Sequence, residues 1–351
     1  MTKLYVFNPE HDLALAANLS NFTAPHAGRK LRFDLGYIPA LWAGDNDYVL
    51  VDDVERAVKA YGRLRAKVGG TPKQFVDKSQ LHRLYINKVE PWGWDLAIRS
   101  FLLRHGVDAA ILPSEAQIAD MRDLSHRKQA VSLLSQLQLP GTVGTSCCTS
   151  EVEAVRQAVE REDRIVVKAP WSSSGRGVRF INNTLDDYQE RWIRNIIEKQ
   201  QSVVVEPYYN KVKDFGMEFY SDGKGKVNYL GLSLFHTKNG AYTGNLIATE
   251  DEKRNILSGY IPESLIISVQ QKICAEMGQL LQEKYEGPFG VDMMIVAKED
   301  KDGFWLHPCV EINLRRTMGH VALCIPPFAD GFTRVMHIEL TDKYRMSVRK
   351  R

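Results

Sequence analysis

The stretch Gly290–Arg315, GVDMMIVAKEDKDGFWLHPCVEINLR, sets two apolar runs on either side of a charged turn and places oxygen-bearing side chains in each. Side chains of a strand alternate between faces, so Glu311 and Asn313 leave the second run on one side. A hairpin centred between Lys301 and Asp302 puts position 292 opposite position 311, because both are equally far from that centre. Asp292, Glu311 and Asn313 then converge. Such hard oxygen ligands suit Mg2+, with Mn2+ as a substitute, and Mg2+ bridges phosphates readily. The competing reading is a solvated acidic face. Against it, Asp292 and Glu311 stand among apolar neighbours, where an unpaired carboxylate is costly. Arg315 follows Asn313 by two. If the strand continues, it is aimed at the same side, where a guanidinium can grip a phosphoryl group with paired hydrogen bonds or act as counter-ion to Glu311.

Upstream, Val166–Val178 reads VVKAPWSSSGRGV, an apolar run that ends in Lys168 and breaks into small residues. Glycines let a main chain turn its N–H groups toward an anion without steric cost, and Ser172, Ser173 and Ser174 add hydroxyl donors beside Gly175 and Gly177. Two familiar phosphate loops are excluded. A Walker A loop ends in Gly-Lys-Ser/Thr, whereas Val178 follows the glycines here, and a dinucleotide fingerprint needs a glycine where Phe180 stands. What remains is a strand-borne lysine in front of a small-residue loop. One cation cannot balance a triphosphate: unit charges about 4 Å apart interact by about 1 kcal/mol in water and about 4 kcal/mol at an effective dielectric of about 20. Several positive centres are therefore required, divalent ions among them. Alone, the loop reads equally as ordinary surface.

The 351-residue chain, 44% hydrophobic and 25% charged, has a globular makeup and length for two or three domains. A formal charge of +3 leaves no footprint of nucleic-acid binding beyond the final Arg349-Lys350-Arg351, read as solvated. No 18 uncharged apolar residues run together, and Glu10 and Asp12 interrupt the N-terminal apolar segment, so no membrane partner is expected and a cytoplasmic location is. Five irregularly spaced cysteines argue against a disulfide framework. Nine histidines without a His-Glu-x-x-His pattern argue against a zinc hydrolase, so any metal must use oxygen ligands.

The first part alternates strand-like runs (Lys3–Phe7, Tyr48–Val51, Ala109–Leu112) with helix-like ones such as Leu96–Arg104, which indicates a parallel sheet with helices on its faces. Ligands of such sheets gather at the carboxyl ends of the strands, here carrying Asn8–Asp12, Pro91–Asp95 and Pro113–Glu115. Turn chemistry and helix caps explain those residues equally, since Asp95 can simply start the next helix. Further on, helices are expected from Ser125 to Pro140-Gly141, at Glu151–Glu160 and at about Leu265–Lys284. Ser202–Glu206 reads as a strand, and Phe215–Tyr220 with Val227–Phe235 as a hairpin.

In this order, a lysine before a serine-glycine loop, an acid-ended strand, and late strands bearing Asp292 and Glu311-x-Asn313 resemble the ATP-grasp superfamily over approximately residues 121–328. The resemblance implies a mixed α/β and α+β chain. Residues 1–120 would form the N-terminal parallel α/β domain that usually precedes the ATP-grasp fold. Two subdomains with antiparallel sheets would follow, 121–205 with the loop and 206–351 with the metal ligands. It implies ATP and Mg2+, with Arg127, near the start of its helix, and Lys168 as basic phosphate ligands. Arginine there departs from the commoner lysine, and His126 and Lys128 adjoin it. Glu206-Pro207-Tyr208-Tyr209 is similar to the linker whose main chain reads adenine. Proline keeps a carbonyl but has no N–H, so Pro207 accepts from the adenine amino group while the Tyr209 N–H donates to the ring. Asp214 stands where the family places an acid on the ribose hydroxyls, though by itself it reads equally as a cap of the Lys213 turn. Glu311–Arg315 is similar to the Glu-x-Asn-x-Arg run of carboxylating members.

The implied activity is an ATP- and Mg2+-dependent ligase joining a small-molecule or peptide carboxylate to an amine or thiol. The carboxylate attacks the γ-phosphorus, Arg315 stabilises the acyl phosphate, and the amine displaces phosphate. No side-chain nucleophile is needed, in keeping with Gly231-Leu232-Ser233-Leu234-Phe235, which lacks the second glycine of a nucleophile elbow. The rivals are a phosphotransferase on the same scaffold, a bicarbonate-using carboxylase and a non-catalytic nucleotide sensor. Acceptor-site candidates are Asn8, Glu10, His11, Asp12, Trp92, Trp94 and His236, each of which also passes as an ordinary loop residue. His320 reads as core. The sequence names no substrate and leaves a homo-oligomer open.

Overall fold

The structure, a computed structural model, describes residues 1–172, 177–238, 241–299 and 302–351. Ser173, Ser174 and Gly175 of the expected phosphate loop lie outside the described residues. The first part runs β1 (Lys3–Val6), α1 (His11–Ala17), α2 (His26–Leu35), β2 (Tyr48–Leu50), α3 (Val54–Val68), β3 (Gln74–Val76), β4 (Lys88–Pro91), α4 (Leu96–Arg104) and α5 (Glu115–Leu124). The four strands are parallel in the order β3-β2-β1-β4. Leu4 and Val6 face one core while Tyr5 and Phe7 face another, as a parallel sheet covered on both sides requires. The chain leaves β1 toward one edge and returns for β4 on the other, opening a crevice beside the carboxyl ends of β1 and β4.

One strand-like run is corrected. Ala109–Leu112 forms no strand but a short 3-10 turn at Ala109–Ile111, held by Asp108, whose Oδ1 accepts from the Ala110 N–H at 2.9 Å. The sheet instead recruits β3 and β4. β3 has only 3 residues, and KVEP in β4 carries two charges and a proline around a single buried valine, so neither shows an apolar run.

Next come α6 (Lys128–Gln136), β5 (Cys147–Thr149), α7 (Val152–Glu162), β6 (Arg164–Lys168), β7 (Val178–Asn182), α8 (Asp187–Gln200) and β8 (Val203–Pro207). Their strands form an antiparallel sheet, β5-β8-β6-β7. Ile165, Val167, Val203 and Val205 pack against α7 and α8, which leaves Lys168 and Glu206 on the opposite face.

The remaining elements are β9 (Lys211–Asp222), β10 (Val227–Ser233), β11 (Phe235–Lys238), β12 (Ala241–Ile247), α9 (Glu250–Ser258), α10 (Glu263–Leu281), β13 (Glu286–Ala297), β14 (Phe304–Asn313), α11 (Met318–Leu323), β15 (Arg334–Leu340) and β16 (Tyr344–Lys350). They give two further antiparallel sheets, β10-β9-β13-β14 and β11-β12-β15-β16. Phe215, Met217, Phe219, Phe289, Val291 and Met293 pack on α10, and Leu133, Leu134 and Leu137 dock α6 into the same core. The last sheet was not anticipated. Its Met336, Met346 and Val348 share a core with Tyr5, Phe7, Tyr37 and Trp92, so the final strands close over the first domain. Among the described residues, no helix is long and apolar enough to cross a membrane.

The β13–β14 hairpin pairs Asp292 with Glu311 and Gly290 with Asn313. The expected pairing holds for a different reason. The ladder near the tip, from Ala297 with Phe304 to Met294 with His307, is centred one residue earlier than expected. Pro308, Cys309 and Val310 then bulge opposite Met293 and restore the register.

Candidate functional site

The alternation that buries Met217, Phe219, Val291 and Met293 sends Gly216, Glu218, Gly290 and Asp292 to the other face. Two cross-strand rows result: Gly216, Asp292 and Glu311, then Glu218, Gly290 and Asn313. Asn313 Nδ2 donates to Asp292 Oδ2 at 3.0 Å. Burial first, then the Glu311 and Glu218 carboxylates, push Asp292 up to about 8, against the opposing pull of Asn313 and Arg315. Position 290 has no room for a side chain: a Cβ there would lie 2.7 Å from Glu218 Oε2 and 3.0 Å from Thr317 Cγ2. Glu218 is the acid that sequence reading missed. Its signal was present, since Met217-Glu218-Phe219 places an acid between apolar neighbours just as the stretch around Asp292 does. Buried His320 lies with its Nδ1 2.9 Å from Glu218 Oε2 and its Nε2 3.2 Å from the Phe219 carbonyl, in the core as expected.

The facing wall is basic. Lys168 Nζ lies 2.5 Å from Glu206 Oε1, both side chains being 7% exposed. It also donates at 3.4 Å to the carbonyl of Val310, a residue of the β14 bulge. Glu206, expected in an adenine-reading linker, therefore uses its side chain on Lys168. Arg127 is the N-cap of α6, and its N–H donates to the Pro170 carbonyl at 3.3 Å, which joins the helix start to the loop after β6. Its Nη1 donates to the Ala169 carbonyl and, at 2.9 Å, to Ser172 Oγ, while Nη2 reaches Glu311 Oε1 at 2.6 Å. The neighbours go elsewhere: Lys128 pairs with Asp123, and His126 Nε2 lies 3.2 Å from Ser202 Oγ. Gly177 closes the described part of the loop. Its carbonyl accepts from the Ala169 N–H at 2.8 Å, and a Cβ there would lie 2.3 Å from Ser172 Cβ.

Arg315 sits past the end of β14, yet a tight turn, with its N–H donating to the Asn313 carbonyl at 2.8 Å, keeps it on the site face. Its guanidinium meets Asp12 of α1 through two bonds, Nε to Oδ1 at 2.9 Å and Nη2 to Oδ2 at 2.8 Å. Burial opposes both charges, but Arg315 holds Asp12 below the usual carboxylate range and Asp12 raises Arg315. His11, Asp12 and Leu15, the segment Pro170–Ser172 and the segment Glu311–Arg315 thus line one cleft of about 20 Å³, the space of about one water.

The other candidates, His11 excepted, fall outside that cleft. Asn8 Nδ2 donates to the Gly93 carbonyl at 2.8 Å, His11 Nδ1 lies 3.1 Å from Asp95 Oδ2, and Asp95 Oδ1 caps α4 by accepting from the Ile98 N–H at 2.8 Å. Glu10 accepts from Arg32 at 3.0 Å. Trp92 is buried edge-on against Phe7, and Trp94 packs against the other face of the first sheet. His236 is exposed near Lys213, Arg351 and His337. Asp214 lies inside β9 and accepts from Lys211 Nζ at 2.6 Å and Thr237 Oγ1 at 3.2 Å, so it is no turn cap. Pro207 ends β8, and the Tyr208 N–H donates to the Arg164 carbonyl at 2.9 Å. The Tyr209 hydroxyl oxygen accepts from the Thr145 N–H at 3.0 Å, and the ring rests edge-on against His307. His307 is fully buried and neither ring nitrogen finds a partner among the described residues, and burial, then Lys168, press it down to about 3.

Asp292, Glu311 and Asn313 supply two carboxylates and an amide on adjoining rows, and among the described residues no ion pair joins Asp292 to a cation, a donor set that fits a hard divalent ion. Among the described residues, no three His, Cys, Asp or Glu side chains form a metal centre on their own.

No family model matches the chain, and no curated protein matches its sequence. Solved structures do resemble it. N5-carboxyaminoimidazole synthetase from Staphylococcus aureus, complexed with ADP, is 13% identical over 97% of this chain and 82% of that one, with a TM-score of 0.50. The biotin carboxylase–beta-gamma-ATP complex from Campylobacter jejuni is 14% identical over 96% of this chain and 75% of that one, with a TM-score of 0.51. An ATP-grasp superfamily protein from Archaeoglobus fulgidus is 11% identical over 100% of both chains, with a TM-score of 0.48. The first two likenesses show the fold, and it is the ATP-grasp fold that the sequence led us to expect.

Proposed function

We propose that the chain is an ATP- and Mg2+-dependent ligase that joins a carboxylate to an amine, or to a thiol, through an acyl phosphate. The observation that carries this reading is the meeting of Arg127 and Ser172 from one wall with Glu311 and Arg315 from the other, 184 residues separating Arg127 from Glu311 at 2.6 Å. Complexes of the two similar structures with ADP and with an ATP species support the choice of nucleotide. The units 1–120, 121–205 and 206–351 belong to the same reading, with acceptor, phosphate loop and metal ligands assigned to them in turn.

In this mechanism Arg127 exchanges Glu311 for phosphate oxygens, which frees Glu311 to ligate together with Asp292 and Asn313. Lys168, held by Glu206, adds a second positive centre. Mg2+, or Mn2+ in its place, would be held by Asp292, Glu311 and Asn313 and would supply neutralisation of phosphate charge. The Pro207 carbonyl and Tyr209 N–H read the base and Asp214 the ribose. An oxygen of the substrate carboxylate attacks the γ-phosphorus and the bond to ADP breaks. Arg315 offsets the charge of the acyl phosphate, and the amine displaces phosphate while losing a proton to solvent. Candidate partners are small-molecule or peptide substrates, with a cytoplasmic location and a homo-oligomer both compatible.

The test is an ATP-dependent phosphate-release screen over pooled carboxylates and amines, with mass detection of the condensed product. Phosphate that appears only when acid and amine are both present supports the ligase. A phosphorylated acceptor that persists would make the protein a phosphotransferase, bicarbonate dependence a carboxylase, and nucleotide binding without turnover a sensor.

A further inference from the structure

Asp12 was expected to face an acceptor, yet its carboxylate is engaged by an arginine 303 residues away. A guanidinium has five N–H groups. Two go to Asp12 at 2.9 and 2.8 Å, one goes from Nη2 to Asn313 Oδ1 at 2.8 Å, and one from Nη1 to the Arg316 carbonyl at 3.2 Å. The remaining Nη1 N–H has no acceptor among the described residues. A two-bond pair of this kind fixes the guanidinium plane as well as its position. Asp12 is itself anchored. It is the second residue of α1, whose first residue His11 lies 3.1 Å from Asp95, the cap of α4. Both members of the pair are 17% exposed, so solvent screens it weakly.

We infer that Asp12 is a positioning residue: it sets the plane of Arg315 so that the unused N–H and the charge meet the transferred phosphoryl group. The N-terminal domain thereby becomes part of the transfer centre. This rests on the ligase reading of the cleft. Both carboxylate oxygens of Asp12 accept from Arg315, and Asp12 acts through that guanidinium.

Full-length wild type, Asp12→Asn, Asp12→Glu, Arg315→Ala and the Asp12→Asn/Arg315→Ala double variant are compared for turnover of Mg·ATP with the acceptor pair found by the screen. Asp12→Asn lowers kcat about tenfold or more while KM for ATP stays unchanged, the scale of one charge-assisted hydrogen bond. Asp12→Glu recovers part of the loss. In the Arg315→Ala background the Asp12 change costs nothing further, as expected of two residues acting as one unit. Losses that multiply, or a kcat unchanged in Asp12→Asn with only a lower Tm, overturn the inference. A second readout does not need turnover: orthovanadate, as a phosphoryl mimic, tightens Mg·ADP binding in wild type and not in Asp12→Asn, while Mg·ADP affinity alone is equal in both. No Mg·ADP binding in wild type defeats the nucleotide reading. Binding without a vanadate effect, or with the same effect in both proteins, defeats the positioning role alone.

Discussion

The two walls of the cleft handle charge in different ways. On the wall built by β6 and β8, Lys168 has its own carboxylate at 2.5 Å, and Arg127 spans the gap to Glu311 at 2.6 Å. On the β13 wall, Asp292 has only an amide donor among the described residues, and burial with two neighbouring acids pushes it up to about 8. Among the described residues the basic wall has its counter-charges in place, whereas no cation is paired with Asp292, as the proposed metal site would require before it is filled. Substitutions on the two walls should therefore fail in different ways.

The largest effect is expected at Asp292. Asp292→Asn lowers ATP turnover about a thousandfold, the scale of losing a preorganised charge at a transfer centre. The metal-free protein loses no stability, because the group removed is one whose ionisation the fold resists. Turnover by ADP release and thermal unfolding at pH 8 check both parts, and a destabilised variant would break the contrast. On the other wall, Lys168→Met lowers turnover about a hundredfold and also costs about 3 kcal/mol, since Glu206 is left buried without its partner. Adding Glu206→Gln returns most of that stability in urea unfolding and none of the activity. A smaller effect belongs to Gly290→Ala, whose new methyl would press on Glu218 Oε2 at 2.7 Å. The overpacking costs about 1–3 kcal/mol and weakens Mg2+ affinity in calorimetry.

The comparison also has a pH signature. Asp292 carries its proton at pH 7 and must release it to ligate, so Mg2+ binding releases a proton at pH 7, read with an indicator dye, and ceases to do so well above pH 8 or in Asp292→Asn. For stability the signs oppose. A carboxyl raised to about 8 favours the folded state below its unfolded value and loses that contribution as pH rises toward 8. His126, lowered to about 4, and His307, lowered to about 3, by burial before any neighbouring charge, contribute above pH 6.5 and lose their contribution as pH falls. With Mg2+ bound Asp292 is held deprotonated and its contribution reverses sign, adding to that of the histidines, so acid unfolding steepens relative to the metal-free protein.

What the sequence revealed follows from how local its signals are. The hairpin was legible because two acids broke an apolar period of two, and α6, α7, α10 and the β9–β10 hairpin carried their own periodicity and turns. Glu218 had the same signature as Asp292 but no companion motif to draw the eye. The Lys168–Glu206 pair depends on the diagonal register of β6 and β8, with Val166 opposite Glu206, which no single strand encodes. The Arg315–Asp12 pair joins the two ends of the chain and leaves no trace in either segment. The C-terminal sheet escaped notice because β15 and β16, 7 residues each, mix charge and apolar residues without a clean alternation.

The three-residue detour at Pro308–Val310 decouples the outer end of its hairpin from the business end. Insertions or trims in the turn beyond Ala297 and Phe304 would leave the oxygen-bearing rows where they are. Losing one residue from the detour would be felt at once, inverting every position after it, driving Glu311 and Asn313 into the greasy interior and turning Ile312 outward in their stead. Length tolerance along this hairpin is thus set by a kink in its middle, not by its apex.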